Sequence, residues 1–259
     1  MEKKQNSGLV YTVRDLCRVC YTCVRECPVK AIKIVDGQAE VVQERCIACG
    51  NCTRVCKQGA KVYMRSTDRV RQLLDDGEDI YALLAPSFVA EFGEIWDSRI
   101  LAGMIVSLGF SRIYEVGMGA DRVSRAYEAL FRENPGKGYI SSDCPAIVSY
   151  VEKYHPELIG SLAPVVSPMV ATARYIRKMV GQRPKLVFIG PCIAKKGESH
   201  EVDEVITFEE LRELFDEARI RPGRTQPADF TLPLAGRGAG YPVNRGMLQS
   251  MDIPGNIAE

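Results

Sequence analysis

CRVCYTCVRECP, residues 17–28, sets Cys17, Cys20, Cys23 and Cys27 two, two and three residues apart and closes on Pro28. The pattern returns as CIACGNCTRVC, residues 46–56, with Cys46, Cys49, Cys52 and Cys56 at the same intervals, so the chain carries an internal repeat. Three thiolates spaced two residues apart can wrap one face of an iron–sulfur cube from a tight loop. The fourth, three residues on, has begun a helix that leads away, and it ligates the other cube. The expected sets are Cys17, Cys20, Cys23 and Cys56 around one [4Fe–4S] cluster, and Cys46, Cys49, Cys52 and Cys27 around a second. Zinc asks for four ligands in pairs, and disulfide frameworks belong to small exported chains. Neither describes two runs of four.

Between the repeats, AIKIVDGQAEVV (residues 31–42) predicts two short strands around an Asp36-Gly37 turn. A pseudo-twofold βαββαβ order follows, and the segment resembles a two-cluster bacterial ferredoxin. Such ferredoxins usually carry proline after the last cysteine, where this chain has Lys57. A module this small buries little apolar surface, so its clusters act as staples. Residues 1–66 hold 12 Lys and Arg against 6 Asp and Glu, a surplus of +6 within a whole-chain charge of +1. Each oxidised cubane with four thiolates is a dianion, and two would lower the surplus to about +2. That accounts for the basicity better than nucleic acid does, since no basic stripe with interleaved aromatics is present.

With 259 residues and 46% apolar content, the chain has enough material for a sizeable core beyond the cysteine-rich module. The start, MEKKQNSGLV, lacks the apolar run of a secretory signal, and no later run approaches the length of a membrane span. Eight of the ten cysteines fall in residues 17–56 at metal-ligand spacing. A cytoplasmic, reducing location is expected.

TDRVRQLLDDGE, residues 67–78, predicts a charged linker helix that starts near Asp68 and stops at Gly77. Apolar runs then alternate with helical periodicity from residue 79. DIYALLAP (79–86), SRIYEVG (111–117), GYISSD (138–143) and KLVFIG (185–190) are the expected strands, with helices through ILAGMIVSL, DRVSRAYEAL, PAIVSYVEKY and MVATARYIRKMV. The order indicates a mainly parallel α/β sheet. The expected division is a ferredoxin-like α+β domain over 1–66, the linker over 67–78 and an α/β domain over 79–259. EVGMGADR is no dinucleotide fingerprint, because Arg122 stands where a third glycine is required. Cys144 and Cys192 each follow an expected strand. Cys144 precedes Pro145, a favoured first helical residue, so it sits at a helix N-terminus suited to an anionic ligand.

With their flanks, these two cysteines resemble something specific. SSDCPAIVSYVEKYHPEL (141–158) and GPCIAKKGE (190–198) are similar to the first and second signatures of the [FeFe]-hydrogenase catalytic domain. Further similarity runs through LLAPSFVAEFG, LGFSRIYEVGMGADR, APVVSPM and GRGAGYPVNRGML, so the resemblance covers nearly the whole chain. It implies that Cys144 and Cys192 hold a third cubane or a partial active-site cluster, and that Lys195 would contact a cyanide on the di-iron unit.

The sequence also departs from that family. Asp143 stands where the proton-relay cysteine is found, and Gly190 where methionine is usual. A buried carboxylate can carry protons if its pKa is raised. The third signature, which supplies the last two cubane cysteines, has no counterpart after Cys192. Residues 222–259 include six Gly and five Pro, a composition of segments that do not fold alone.

Two functions are therefore expected. One is an electron-transfer or redox- and hydrogen-sensing protein of hydrogenase ancestry. The alternative is a ferredoxin-linked hydrogenase whose missing ligands come from further residues or another subunit. The partner would be a redox protein or that subunit. His155 and His200 have no metal-spaced neighbour and are assigned no role.

Overall fold

The computed structural model describes residues 8–198 and 200–251. Most of the polar N-terminal stretch, Ser199, and the last part of the Gly- and Pro-rich segment lie outside the described residues.

The cysteine-rich segment runs β1 (Val10–Thr12), α1 (Thr22–Glu26), β2 (Ile32–Val35), β3 (Gln38–Val41), α2 (Asn51–Val55) and β4 (Lys61–Tyr63). This is the βαββαβ order. β1 pairs antiparallel with β4, and β2 with β3. The hairpin turns on Asp36 and Gly37 at φ 48° and 71°, the left-handed pair that a primed two-residue turn requires. The repeat reaches into the backbone as well. Val19 and Ala48, Tyr21 and Gly50, and Lys30 and Gly59 occupy equivalent places in the two copies, and all six have positive φ. A β-branched residue such as Val19 (φ 50°) is strained there, by roughly 1–3 kcal/mol, and persists only where its surroundings fix it.

α3 (Thr67–Asp75) ends before Gly77 (φ 68°), as the sequence signals. It is more than a linker, since Val70 and Leu73 are buried in the core of the α/β unit. β5 (Ile80–Leu84), α4 (Phe88–Glu91), α5 (Ser98–Ser107), β6 (Arg112–Glu115) and α6 (Gly117–Glu133) follow, then α7 (Pro145–Tyr154), α8 (Pro168–Val180), β7 (Lys185–Gly190), β8 (Glu204–Thr207), α9 (Phe208–Glu217) and α10 (Gly246–Ser250). The sheet is parallel throughout, in the order β6-β5-β7-β8. Its central strands β5 and β7 are almost wholly buried, which explains their continuous apolar runs.

Three features differ from the sequence reading. GYISSD is not a strand. It makes a single parallel bridge, Ile140 to Leu162, because side chains take up its hydrogen bonding. The Ser142 hydroxyl donates to Ala163 O (2.8 Å) and Val165 O (2.6 Å), and Ser142 N–H donates to the Tyr127 hydroxyl (3.2 Å). β8 and α9 were not anticipated, although their signal is present. Thr207 and Glu210 form a capping box, Glu210 N–H to Thr207 Oγ1 (3.1 Å) and Thr207 N–H to Glu210 Oε2 (2.8 Å). The described part of the Gly- and Pro-rich segment is ordered against α6. Gly236 and Gly238 N–H groups both donate to the Asp121 carboxylate at 2.7 Å, and a Cβ on Gly238 would lie 2.1 Å from Gly117 O. Its glycines let backbone lie on helix, a partner the composition alone does not reveal.

The chain forms two compact units. One comprises Met1–Arg65, Cys144–Ile159 and Cys192–Glu198; the other comprises Ser66–Asp143, Gly160–Pro191 and Ser199–Glu259. The first is therefore not contiguous in sequence. Ala146, Ala194, Tyr150 and Tyr154 pack in one apolar cluster with Cys23, Cys27 and Ile47, which draws the segments beginning at Cys144 and Cys192 into the cysteine-rich unit.

In the other unit, α6 and α8 touch at Gly119, where an added Cβ would lie 2.2 Å from Thr172 Oγ1 and 2.3 Å from Pro168 O. Gly119→Ala is expected to cost about 1–3 kcal/mol through overpacking, read as a lower urea midpoint with unchanged slope. An unshifted midpoint would show that the two helices separate without cost.

Candidate metal centre

Each cysteine loop runs into a short helix, and the thiol that crosses over stands at that helix's end. Cys27 follows α1 and Cys56 follows α2. α1 and α2 pack together, which carries each terminal thiol into the neighbourhood of the other loop. Cys17, Cys20, Cys23 and Cys56 consequently line one cavity. Cys27, Cys46, Cys49 and Cys52 line another, whose walls include Val10, Val29, Ile32 and Ile47. Each cavity thus gathers three cysteines of one run and the last of the other.

The electrostatics divide along the same line. Burial pushes the Cys23 thiol up, Lys61 opposes this, and Cys56, Cys17 and Cys20 add to the rise. Burial pushes Cys52 up to about 12, again opposed by Lys61 and reinforced by Cys46, Cys49 and Cys27. Cys46 is raised chiefly by burial, with Ala48 N–H opposing and Cys49 and Cys27 adding. Exposed Cys20 is drawn down by hydrogen bonding with Thr22.

The donor set suits an iron–sulfur cube. Four crowded, mostly shielded sulfurs are costly as free thiolates, and a bound metal reverses that by deprotonating them outright. The thiols are spread around cavity walls; among the described residues no three His, Cys, Asp or Glu side chains are grouped to grip a single ion. Left-handed residues alternate with the cysteines in both loops, the backbone geometry from which anion-holding nests are built. Ala31 N–H donates to Cys27 Sγ (3.2 Å) and Ala48 N–H to Cys46 Sγ (3.4 Å), the kind of bond that tunes cluster potentials.

Cys144 is the N-cap of α7, with Pro145 at its first position. Cys192 lies two residues beyond β7 and caps the 3-10 turn Ile193–Gly197, which packs against α7. The two cysteines thus cap elements that pack together. Burial raises the Cys192 thiol, and the charge of Cys144 adds to this, against the pull of Lys195 and of the Lys195 and Ala194 N–H groups. Cys144 is exposed and Cys192 partly buried.

Lys195 lies in the same unit, its Nζ 2.6 Å from Glu198 Oε2. Asp143 belongs to the other unit, where the Tyr241 hydroxyl donates to its Oδ2 at 3.1 Å. The sequence reading missed what fastens α7 in its unit. The Tyr154 hydroxyl donates to Arg45 O (2.8 Å) and Val29 O (3.2 Å), and Lys153 Nζ donates to Cys46 O (2.6 Å). No local pattern announces contacts over such sequence distances. Buried Lys61 was likewise not singled out.

A ferredoxin-like cysteine module and a parallel-sheet α/β unit define an iron–sulfur cluster-binding protein. The family described as the iron-only hydrogenase large subunit, C-terminal domain, matches residues 78–253, and the 4Fe-4S dicluster domain matches residues 9–57. The chain belongs to the iron-only hydrogenase large-subunit family.

Among curated relatives, the cytosolic Fe-S cluster assembly factor NAR1 of Yarrowia lipolytica is 26% identical over 69% of this chain and 44% of its own length. A probable cytosolic Fe-S cluster assembly factor of Drosophila erecta is 24% identical over 76% of this chain and 50% of its own. The chain thus spans about half the length of these relatives. The [FeFe]-hydrogenase HydA1 of Chlamydomonas reinhardtii shares the fold with a TM-score of 0.57 at 23% identity, over 68% of this chain and 53% of that one. Among the described residues, no helix is long and apolar enough to cross a membrane.

Crossed quartets have a consequence that uncrossed ones lack. Cys27→Ser is expected to leave the same residual paramagnetic spectrum as Cys49→Ser, and Cys56→Ser the same as Cys20→Ser, in anaerobically reconstituted protein. If Cys27→Ser instead matched Cys20→Ser, the thiols would stay with their own loops.

Proposed function

We propose that this chain holds two [4Fe–4S] clusters and works as a cytosolic electron carrier in iron–sulfur biochemistry, not as an enzyme that turns over dihydrogen. The observation that carries the reading is the exchange of Cys27 and Cys56 between the two cavities, which joins two redox groups in one small unit. Clusters bound there would supply one-electron chemistry at potentials set by local charge, hydrogen bonds to sulfur and solvent exposure. The eight thiolates hold them, the Ala31 and Ala48 N–H groups polarise two of the sulfurs, and the apolar walls limit water. Exposed Cys20 and Cys49 mark the faces at which a redox partner protein would exchange electrons.

The relatives named as cytosolic Fe-S cluster assembly factors support a setting in cluster biogenesis over one in redox or hydrogen sensing. Cys144 and Cys192 offer two further thiols. On this reading they take a third cubane or a partial cluster, with Lys195 in a supporting role, and remaining ligands come from a partner subunit or further residues.

Anaerobic reconstitution tests the reading. Expected are close to eight irons per chain from the two quartets and a spin-coupled resonance on reduction; a plateau near four would remove one of the two clusters. With a reduced dye as donor, residues 1–259 are expected to evolve no dihydrogen even after treatment with a di-iron precursor. Sustained evolution would restore the catalytic alternative.

A further inference from the structure

Lys61 opens β4 and is 3% exposed. Its Nζ donates to Thr12 Oγ1 and to Ala39 O, the latter at 2.8 Å. Among the described residues no carboxylate pairs with it. Hydrogen bonds to two neutral oxygens do not repay the desolvation of an ammonium, so buried lysines are ordinarily found with a negative partner.

The surroundings point to that partner. The side chain lines the cavity of Cys17, Cys20, Cys23 and Cys56, as does Ala39, whose carbonyl it bonds.

The plainer reading, in which Lys61 merely ties β4 to its neighbours, is poorly supported. Backbone pairing already joins β4 to β1, with Lys61 opposite Thr12. The Thr12 hydroxyl itself donates to Ala39 O at 2.6 Å, so that carbonyl stays satisfied without the ammonium.

We propose that Lys61 is a tuning cation, buried at the cavity of Cys17, Cys20, Cys23 and Cys56, that makes the cluster held there easier to reduce. The inference rests on the two-cluster reading. Each reduction adds one electron to a group that is already anionic, and a fixed positive charge in a poorly solvated interior offsets that gain. Surface cations of the same segment act more weakly, because water and salt screen them.

The test is a dithionite titration of anaerobically reconstituted protein, residues 1–259, followed by paramagnetic resonance. Lys61→Met is expected to keep wild-type iron content while the cluster of Cys17, Cys20, Cys23 and Cys56 becomes tenfold harder to reduce, a shift of about 59 mV to lower potential for a one-electron couple, and the other cluster shifts less. Lys61→Arg is expected to restore wild-type values. A purely structural lysine would change iron content or folding and leave the potentials of loaded protein alone.

Full iron with unshifted potentials in Lys61→Met overturns the proposal and leaves the two clusters standing. A shift confined to the other cluster, identified as the one lost in Cys49→Ser, overturns it as well. Wild-type protein that binds only one cluster overturns this inference together with the reading beneath it. Should Lys61→Met load poorly, Lys61→Gln keeps a donor for Ala39 O and gives the same comparison without the charge.

Discussion

Four sulfurs must surround each cavity, yet each loop brings only three, and the fourth has to arrive from the other repeat. Much of the cysteine-rich unit follows from that requirement. α1 and α2 have to lie against one another so that Cys27 and Cys56 can cross. β1 has to meet β4 so that the two ends of the repeat close into one body. The loops accept left-handed residues at matched places in both copies, including a strained Val19. Apolar burial in so small a unit is modest, and metal–thiolate bonds are the natural source of its remaining stability.

Charge is the second constraint. Burial first, and crowding after it, raises Cys23 in one quartet and Cys46 and Cys52 in the other, so these thiols resist ionisation without iron and a bound metal relieves that. The basic surplus of the N-terminal segment fits this role, but its members are not equivalent. Most are exposed and screened, whereas Lys61 is held inside by Thr12 and Ala39. A buried ammonium is unfavourable in isolation and favourable beside anionic groups, so its position carries information that the total charge does not.

The α/β unit obeys more ordinary rules. Parallel strands buried on both faces need continuous apolar sequence, and β5 and β7 have it. Helices take the sheet's faces, and small residues let α6 meet both α8 and the Gly-rich segment after residue 235. The segments that start at Cys144 and Cys192 leave this plan, since their alanines and tyrosines complete the apolar cluster around Cys23 and Cys27.

The amino-acid order by itself determined what short-range sterics control: the spacing of the two cysteine runs, the Asp36-Gly37 hairpin, the stop of α3 at Gly77, the strands β5, β6 and β7, and Pro145 as the start of α7. It held the capping box at Thr207 and Glu210 as well, although that signal went unread. Tertiary structure alone decided that GYISSD is held by the Ser142 hydroxyl and the Tyr127 hydroxyl in place of a strand partner, that the Gly- and Pro-rich stretch lies against α6, that α7 completes the cysteine-rich unit through Tyr154 and Lys153, and that Lys61 is buried. The reason is range. Spacing, turns and caps act over a few residues and leave a local signature, whereas burial and pairing depend on partners tens to more than a hundred residues away, which no local pattern encodes.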